Sequence, residues 1–322
     1  MVAETCWVLT EGHAGMENQA LGLAEALGSG PVLKRTRPRA PWAYVPPWLW
    51  LPPLRAGGLH GDRLEPPWPD LLITCGRQGA ALSMAIRRAS CGRTFTIHIQ
   101  NPRVHPRHFD LVVVPRHDGV TGENVIVTRA ALHRVTPERL ARARARFQPA
   151  LAHLPRPLVA VLIGGSNRRY RVTPAVIAEL TDRLAALARD NGAGLAVTPS
   201  RRTGAENEAV LKDRLNGLSA VIWDHRGENP YFGYLALADA IVVTSDSVSM
   251  VSEACATGKP VYVVELEGGS KRFHRFYQSL REDGITRPFD GTLEFWTYDP
   301  PDDTARVAAE ARRRMAERRG LA

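Results

Sequence analysis

Four serines fall within eight residues of the segment Ser245-Asp246-Ser247-Val248-Ser249-Met250-Val251-Ser252-Glu253. Hydroxyls at the start of a helix, beside its unpaired N–H groups and the positive end of its macrodipole, suit a diphosphate. Capping by one Ser or Asp is the competing reading, and it accounts for one hydroxyl of the four. Glu253 follows about one and a half helical turns in. It either accepts hydrogen bonds from ribose hydroxyls or is an ordinary exposed helix carboxylate. A second candidate is Gly164-Gly165-Ser166-Asn167. Its glycines let backbone N–H groups approach an anion, and Ser166 and Asn167 add donors. A tight turn needing positive φ explains the same glycines. No Gly-Lys-Ser/Thr follows, so this is not a Walker loop, and without a full G-x-G-x-x-G a dinucleotide cofactor is disfavoured. A third cluster is Glu11-Gly12-His13-Ala14-Gly15, with Asn18 and Gln19 beyond it. His13 is a candidate general base, with Glu11 as the other; a loop histidine in a structural hydrogen bond is the plainer alternative. Arg77, Arg103, Arg116, His105 and His117 are either ligands for an anionic acceptor or solvated charges. There is no D-x-D motif, and His105-Pro106-Arg107-His108 is poorly spaced for a metal pair, so no metal site is indicated.

These residues follow short apolar runs, which defines the elements that must hold them. Strands are predicted at 6–9, 71–75, 94–99 and 110–114, then at 158–163, 194–198, 219–223, 240–244 and 261–264. The runs are apolar throughout rather than alternating, as in strands buried on both faces of a parallel sheet. Helices are predicted at 15–27, 78–90, 174–190, 203–215 and 248–257, with an arginine-rich one at about 303–319. The alternation is that of βαβ units. Ligands of such sheets bind beyond the carboxyl ends of the strands, where the candidate residues lie. Three prolines within 148–157 suggest a linker between a domain at 1–150 and another at 151–322, with the last helix free to pack back on the first. The fold class expected is α/β, with two Rossmann-like domains facing each other across a cleft.

The charge is unevenly distributed. The chain carries +9, and Lys and Arg outnumber Asp and Glu by 20 to 11 up to residue 160 but balance at 22 each thereafter. The N-terminal half is therefore expected to face something anionic: a membrane surface, an acidic acceptor or nucleic acid. No nucleic-acid-binding pattern is present. Residues 36–69 form an irregular Pro-, Trp- and Gly-rich stretch, in which Trp42, Tyr44, Trp48 and Trp50 follow basic Lys34, Arg35, Arg37 and Arg39. This reads either as a membrane-interface contact or as a buried packing loop. Cys6, Cys75, Cys91 and Cys255 stand singly and read as small buried residues. No segment is long and apolar enough to span a bilayer, and the first residues read as a strand rather than a signal peptide. The expectation is a cytoplasmic protein, with the inner face of the membrane as a further location.

Gly164-Gly165-Ser166, Ser245–Glu253 and Gly258-Lys259-Pro260-Val261 together resemble the donor domain of GT-B glycosyltransferases. They are most similar to the family that adds N-acetylglucosamine to lipid-linked muramyl peptide. That resemblance implies a diphosphate held by Ser247 and Ser249 and a ribose held by Glu253. It also matches the glycine-rich, His-bearing loop of that family to Gly12-His13-Ala14-Gly15. Across nearly the whole chain, Trp7-Val8-Leu9-Thr10-Glu11-Gly12-His13-Ala14-Gly15-Met16-Glu17-Asn18-Gln19, Ile99-Gln100-Asn101-Pro102 and Thr244-Ser245-Asp246-Ser247-Val248-Ser249-Met250 resemble bacterial relatives of the plant mitochondrial fission family. That resemblance implies a GT-B-like fold and, in the plant setting, recruitment of a dynamin-like division protein.

The expected function is a metal-independent transfer of sugar from a nucleotide-diphosphate donor to an anionic or lipid-linked acceptor. The alternative is a non-catalytic, membrane-associated scaffold that recruits partners. The nucleotide set is Gly164, Gly165, Ser166, Asn167, Ser245, Ser247, Ser249, Met250 and Glu253. The acceptor set is Gly12, Gly15, Asn18, Arg77, Gln100, Asn101 and Arg103, with His13 or Glu11 as base. The nucleotide sugar is a co-substrate, and no other cofactor is expected.

Overall fold

A computed structural model describes residues 5–320 apart from 37, 39, 43, 47, 48, 51, 52, 59 and 60. The chain divides into two compact units, Met1–Arg134 with Asp302–Ala322, and Val135–Pro301. Each is built on a six-stranded parallel sheet.

The first unit runs β1 (Cys6–Thr10), α1 (Ala14–Ala26), β2 (Pro31–Arg35), α2 (Pro53–Gly58), β3 (Leu71–Cys75), α3 (Arg77–Ala89), β4 (Phe95–Ile99), β5 (Leu111–Pro115) and β6 (Val125–Thr128). Its strand order is β2-β1-β3-β4-β5-β6. The second runs α4 (Pro137–Leu151), β7 (Leu158–Ile163), α5 (Pro174–Asp190), β8 (Gly194–Pro199), α6 (Ala205–Arg214), β9 (Ala220–Ile222), α7 (Tyr231–Leu237), β10 (Ala240–Thr244), α8 (Val248–Cys255), β11 (Val261–Val264), α9 (Lys271–Glu282) and β12 (Thr286–Pro288). Its order is β12-β11-β10-β7-β8-β9. Renumbered within the unit, this is the 3-2-1-4-5-6 order of doubly wound nucleotide-binding sheets.

Helix starts follow local chemistry. Thr136 and Thr173 each cap a helix whose first residue is proline, and their side chains accept from Arg139 N and Val176 N. The central strands β3, β4, β5, β7, β8 and β10 are buried throughout. Val159, Val161, Ile241 and Val243 lie in a core that also takes Leu180, Leu184 and Phe276 from the flanking helices.

The last helix, α10 (Asp303–Arg318), belongs to the first unit. It buries Val307, Ala308, Ala311 and Met315 in the core that holds Val8 and Ile73. Its Asp303 carboxylate accepts from Arg129 N at 2.8 Å and Ala130 N at 2.9 Å. The units divide between Arg134 and Val135, so the proline-rich stretch 148–157 and helix α4 sit inside the second unit. Pro149 lies inside α4, and Pro155 and Pro157 lead from it into β7 rather than separating two bodies.

Three strands, β2, β6 and β12, lie outside the predicted set, and each is a sheet edge with partly exposed residues. The tryptophan-rich stretch packs on the first sheet in part. Trp50 is buried beside Leu72 and Leu82, its Nε1 donating to Trp42 O at 3.0 Å. Tyr44 is 87% exposed and Leu49 56%. Arg37, Arg39 and Trp48 lie outside the described residues. Among the cysteines Cys6, Cys75 and Cys255 are buried as expected, whereas Cys91 is exposed.

Candidate functional site

In the second unit the strand order reverses between β10 and β7, and the two loops leaving them meet there. Thr244 Oγ1 accepts from Gly164 N at 2.8 Å and donates to Asp246 Oδ1 at 2.7 Å. Asp246 Oδ2 accepts from Gly165 N at 3.0 Å and from Arg202 Nη2 at 2.9 Å. The Asp246 side chain is fully buried and Arg202 is about half exposed (46%). A buried carboxylate is tolerated when it is paired and hydrogen-bonded, and Asp246 is both.

This alters the reading of the glycine loop. The amides of Gly164 and Gly165 are already given to Thr244 and Asp246, so they are not open to an anion. The glycines are required for close approach: a Cβ on Gly164 would collide with the Asp246 carboxylate, and one on Gly165 with the Arg202 backbone. Asn167 is a loop staple, its Oδ1 accepting from Arg169 N at 2.8 Å and Tyr170 N at 3.1 Å. Ser166 is exposed, and its Oγ accepts from Val172 N at 2.9 Å.

The four serines also separate. Ser245 is buried and its Oγ accepts from Leu266 N at 3.0 Å. Ser252 is buried and bonds back to Val248 O at 2.8 Å. Both hydroxyls are engaged by backbone groups. Ser247 is the N-cap of α8, accepting from Met250 N at 3.3 Å; this uses a lone pair and leaves its O–H proton to donate. Ser249 and Met250 are half-buried in the first turn. Glu253 is not the exposed helix residue of the plainer reading. It is 3% exposed, and its Oε2 accepts from Tyr231 OH at 2.6 Å. Burial, then the charge and hydrogen bond of Glu253, push the Tyr231 phenol well above its ordinary pKa, so it remains a donor. Tyr231 opens α7, and nothing in the sequence pairs it with a residue 22 positions away. Arg202 and Asp246 were likewise not singled out; an Asp among hydroxyls in a βα loop was the available signal.

In the first unit the reversal falls between β1 and β3. Here too a carboxylate spans it: Glu11 Oε1 accepts from Gln78 N at 2.9 Å. Glu11 thereby caps α3, whose own N-cap, Gly76, has no side chain to offer. Gly76 has φ +90°, and a Cβ there would lie 2.6 Å from Met16 Sδ. Gly12 N donates to Thr10 Oγ1 at 3.2 Å. His13 begins α1 with extended backbone; its carbonyl accepts from Met16 N and Glu17 N, and its exposed ring caps nothing. Gly15 and Asn18 lie on the first turns of α1, the Gly15 carbonyl accepting from Gln19 Nε2 at 3.1 Å. Arg77 is exposed at the first position of α3, where the macrodipole opposes a cation. After β4, Gln100 and Arg103 have φ of +80° and +60°, left-handed values that L-residues avoid. Asn101 Oδ1 holds the turn by accepting from Arg103 N at 2.9 Å. All seven acceptor-set residues thus lie at or just beyond the carboxyl edge of one sheet.

Among the described residues no three of His, Cys, Asp and Glu converge as a metal-ion group. No helix among them is long and apolar enough to cross a membrane.

Solved structures of this shape include a co-structure of S. aureus MnaA with UDP (TM-score 0.56, 12% identity, 99% of this chain and 98% of that one). Others are the UDP-GlcNAc 2-epimerase of Methanocaldococcus jannaschii in complex with UDP-GlcNAc and UDP (0.54, 10%, 96% and 99%) and the glycosyltransferase SnogD of Streptomyces nogalater (0.52, 17%, 98% and 96%). At such identities they establish the fold alone: α/β, two-domain, of the GT-B glycosyltransferase and epimerase type. Sequence goes further. The mitochondrial fission protein ELM1 of Arabidopsis thaliana is 31% identical over 97% of this chain and 91% of its own length. Protein RP120 of Rickettsia prowazekii is 26% identical over 94% and 96%. The family model for mitochondrial fission ELM1 matches residues 14–315, which takes in every loop described above except Glu11, Gly12 and His13. With a match of that extent and a relative that close, the chain belongs to the mitochondrial fission ELM1 family.

Proposed function

We propose that this protein is a metal-independent glycosyltransferase that moves a sugar from a nucleotide-diphosphate donor, held on the second unit, to an anionic or lipid-linked acceptor, held on the first. The observation that carries the reading is the start of α8. It opens beside the point of strand reversal with Ser247 and Ser249 on its first turn, and Glu253 lies buried in the same helix with Tyr231 on its carboxylate. Ligands of doubly wound sheets bind at such a point. Similar structures in complex with UDP and UDP-GlcNAc support a nucleotide sugar as the ligand.

The contacts suit the chemistry. The acceptor oxygen forms a bond to the sugar C1 while the C1–O bond to the diphosphate breaks, its electron pair leaving on the nucleotide diphosphate. The α8 N–H groups and the half-exposed Arg202 meet that charge. The acceptor proton passes to His13, whose ring is exposed, because Glu11 is already committed to α3. Of the nucleotide set, Ser247, Ser249, Met250, Glu253 and Ser166 would touch the donor, and Gly164, Gly165, Asn167 and Ser245 would shape the loops around it.

Thermal unfolding with UDP, ADP and GDP is the test. A ligand at a hundred times its Kd adds about 2.7 kcal/mol of stability, so the matching nucleotide raises Tm by several degrees. Glu253→Gln, which keeps a partner for Tyr231, lowers that response. If none of the three moves Tm, the reading is wrong.

A second reading, a membrane-associated scaffold, is favoured by the exposure of Tyr44 and Leu49 beside a basic stretch. Trp50 is buried and unavailable to a bilayer. Tyr44→Ala/Leu49→Ala should therefore abolish co-sedimentation with anionic liposomes if this loop is the anchor.

A further inference from the structure

The second unit, Val135–Pro301, carries 21 Lys and Arg against 19 Asp and Glu. Several of its arginines are paired: Arg156 with Asp239, Arg214 with Asp182, Arg287 with Glu294, and at the carboxyl edge of the sheet Arg226 with Asp224 and Arg281 with Glu265. Arg168, Arg169 and Arg171 on the loop after β7, and Arg201 after β8, are exposed, and among the described residues none has a carboxylate at ion-pair distance. Arg202 has one, in Asp246.

The loop after β7 is built rather than loose. Tyr170 is buried and stacks on Phe273 with ring centroids 6.1 Å apart, and the Arg169 guanidinium lies 5.6 Å from the same ring. Arg171 N donates to Glu267 O at 3.3 Å and Gly269 N to Arg169 O at 2.7 Å, on the loop after β11. Because β10 lies between β7 and β11, this loop passes across the carboxyl end of β10, where α8 begins. Arg201 and Arg202 come from the opposite side, beyond β7. Cations thus flank the start of α8 on both sides.

A diphosphate is already provided for by α8 and Arg202. We propose that the nucleotide ligand carries a further anionic group, as a nucleotide-linked sugar acid does, and that Arg168, Arg171 and Arg201 receive it. This rests on the nucleotide-diphosphate reading above. It also fixes the class of reaction that supplies the ligand, an oxidation or phosphorylation that places a second anion on the sugar.

Calorimetric binding to the full chain compares UDP-glucose with UDP-glucuronate and GDP-mannose with GDP-mannuronate, each pair differing at C6 by a hydroxymethyl against a carboxylate. Two or three exposed ion pairs correspond to about a tenfold preference for the acid. That preference is expected in at least one pair and should vanish in Arg168→Gln/Arg171→Gln, while binding of the free nucleoside diphosphate changes by less than about twofold. Equal affinity within both pairs overturns this inference and leaves the diphosphate reading standing. A preference that survives the double substitution overturns the assignment to these arginines. Absence of binding by any nucleotide overturns both.

Discussion

Asp246 and Lys259 show how single side chains hold the loops of the second unit. Asp246 takes two donors at its Oδ2, one from each flanking loop, and a third from Thr244 at its Oδ1. Asp246→Ala leaves Gly165 N and Arg202 without that partner. We expect a loss of about 2–3 kcal/mol in urea unfolding, below that of a fully buried pair because Arg202 is half exposed. Gly165→Ala should be at least as damaging, because the Arg202 backbone fills the space. Lys259 Nζ donates to Leu235 O at 2.5 Å and Ala236 O at 2.8 Å, while Arg144 and Arg156 bond Ala236 O and Leu237 O. Three cations thereby close the carbonyl end of α7. Burial, reinforced by the nearby Arg144, brings Lys259 down to about 8 from 10.5. The unfolded chain then binds this proton more tightly than the folded one between those values. Stability from this group is full above about pH 10.5 and is lost as pH falls through 8. Urea unfolding at pH 7.5 and pH 10 should show wild type gaining on Lys259→Met as pH rises; a flat difference would contradict the assignment.

At the scale of elements, strands buried on both faces carry the clearest apolar runs. Helix α10 illustrates the cost of a late segment completing an early core. Asp303 accepts two backbone N–H groups from the stretch after β6 and pairs with Arg306 at 2.6 Å. Asp303→Ala leaves those amides without that acceptor in a buried setting, and a loss of about 2–4 kcal/mol is expected, read as a lower urea midpoint at unchanged slope. After β4, Gln100 holds a left-handed φ of +80°. Gln100→Gly relieves a strain of about 1–2 kcal/mol and should raise Tm; if Gln100 also contacts the acceptor, activity falls as stability rises.

For the whole molecule, the two units differ in how the chain supplies them. The second is one continuous segment, and its core draws only on residues between Val135 and Phe289. A fragment spanning 135–301 should fold cooperatively by circular dichroism. The first is discontinuous, and a fragment ending at 134 lacks Val307, Ala308, Ala311 and Met315 from its core. It should be unfolded or aggregated unless 302–320 is supplied. A stable 1–134 fragment would show that α10 is an accessory and not part of the core.

The sequence by itself determined the alternation of elements and the carboxyl-edge position of the candidate loops. Strands such as Leu158–Ile163 and Ala240–Thr244 are apolar throughout because both faces are covered, and that requirement is written in consecutive residues. It also located the serine-bearing start of α8 and the His13 loop. Only the tertiary structure decided which of their polar groups remain for a ligand. Gly164 bonds to a residue 80 positions away, Gly165 to one 81 away, and Arg202 to one 44 away. Glu253 is buried because α7 brings Tyr231 to it. Edge strands β2, β6 and β12 are short and partly exposed, and β2 and β12 mix apolar with basic residues. The physical reason is common to all of these. Burial pattern is a property of a segment, whereas a hydrogen bond or an ion pair is a property of two segments, and the chain's order does not say which two will meet.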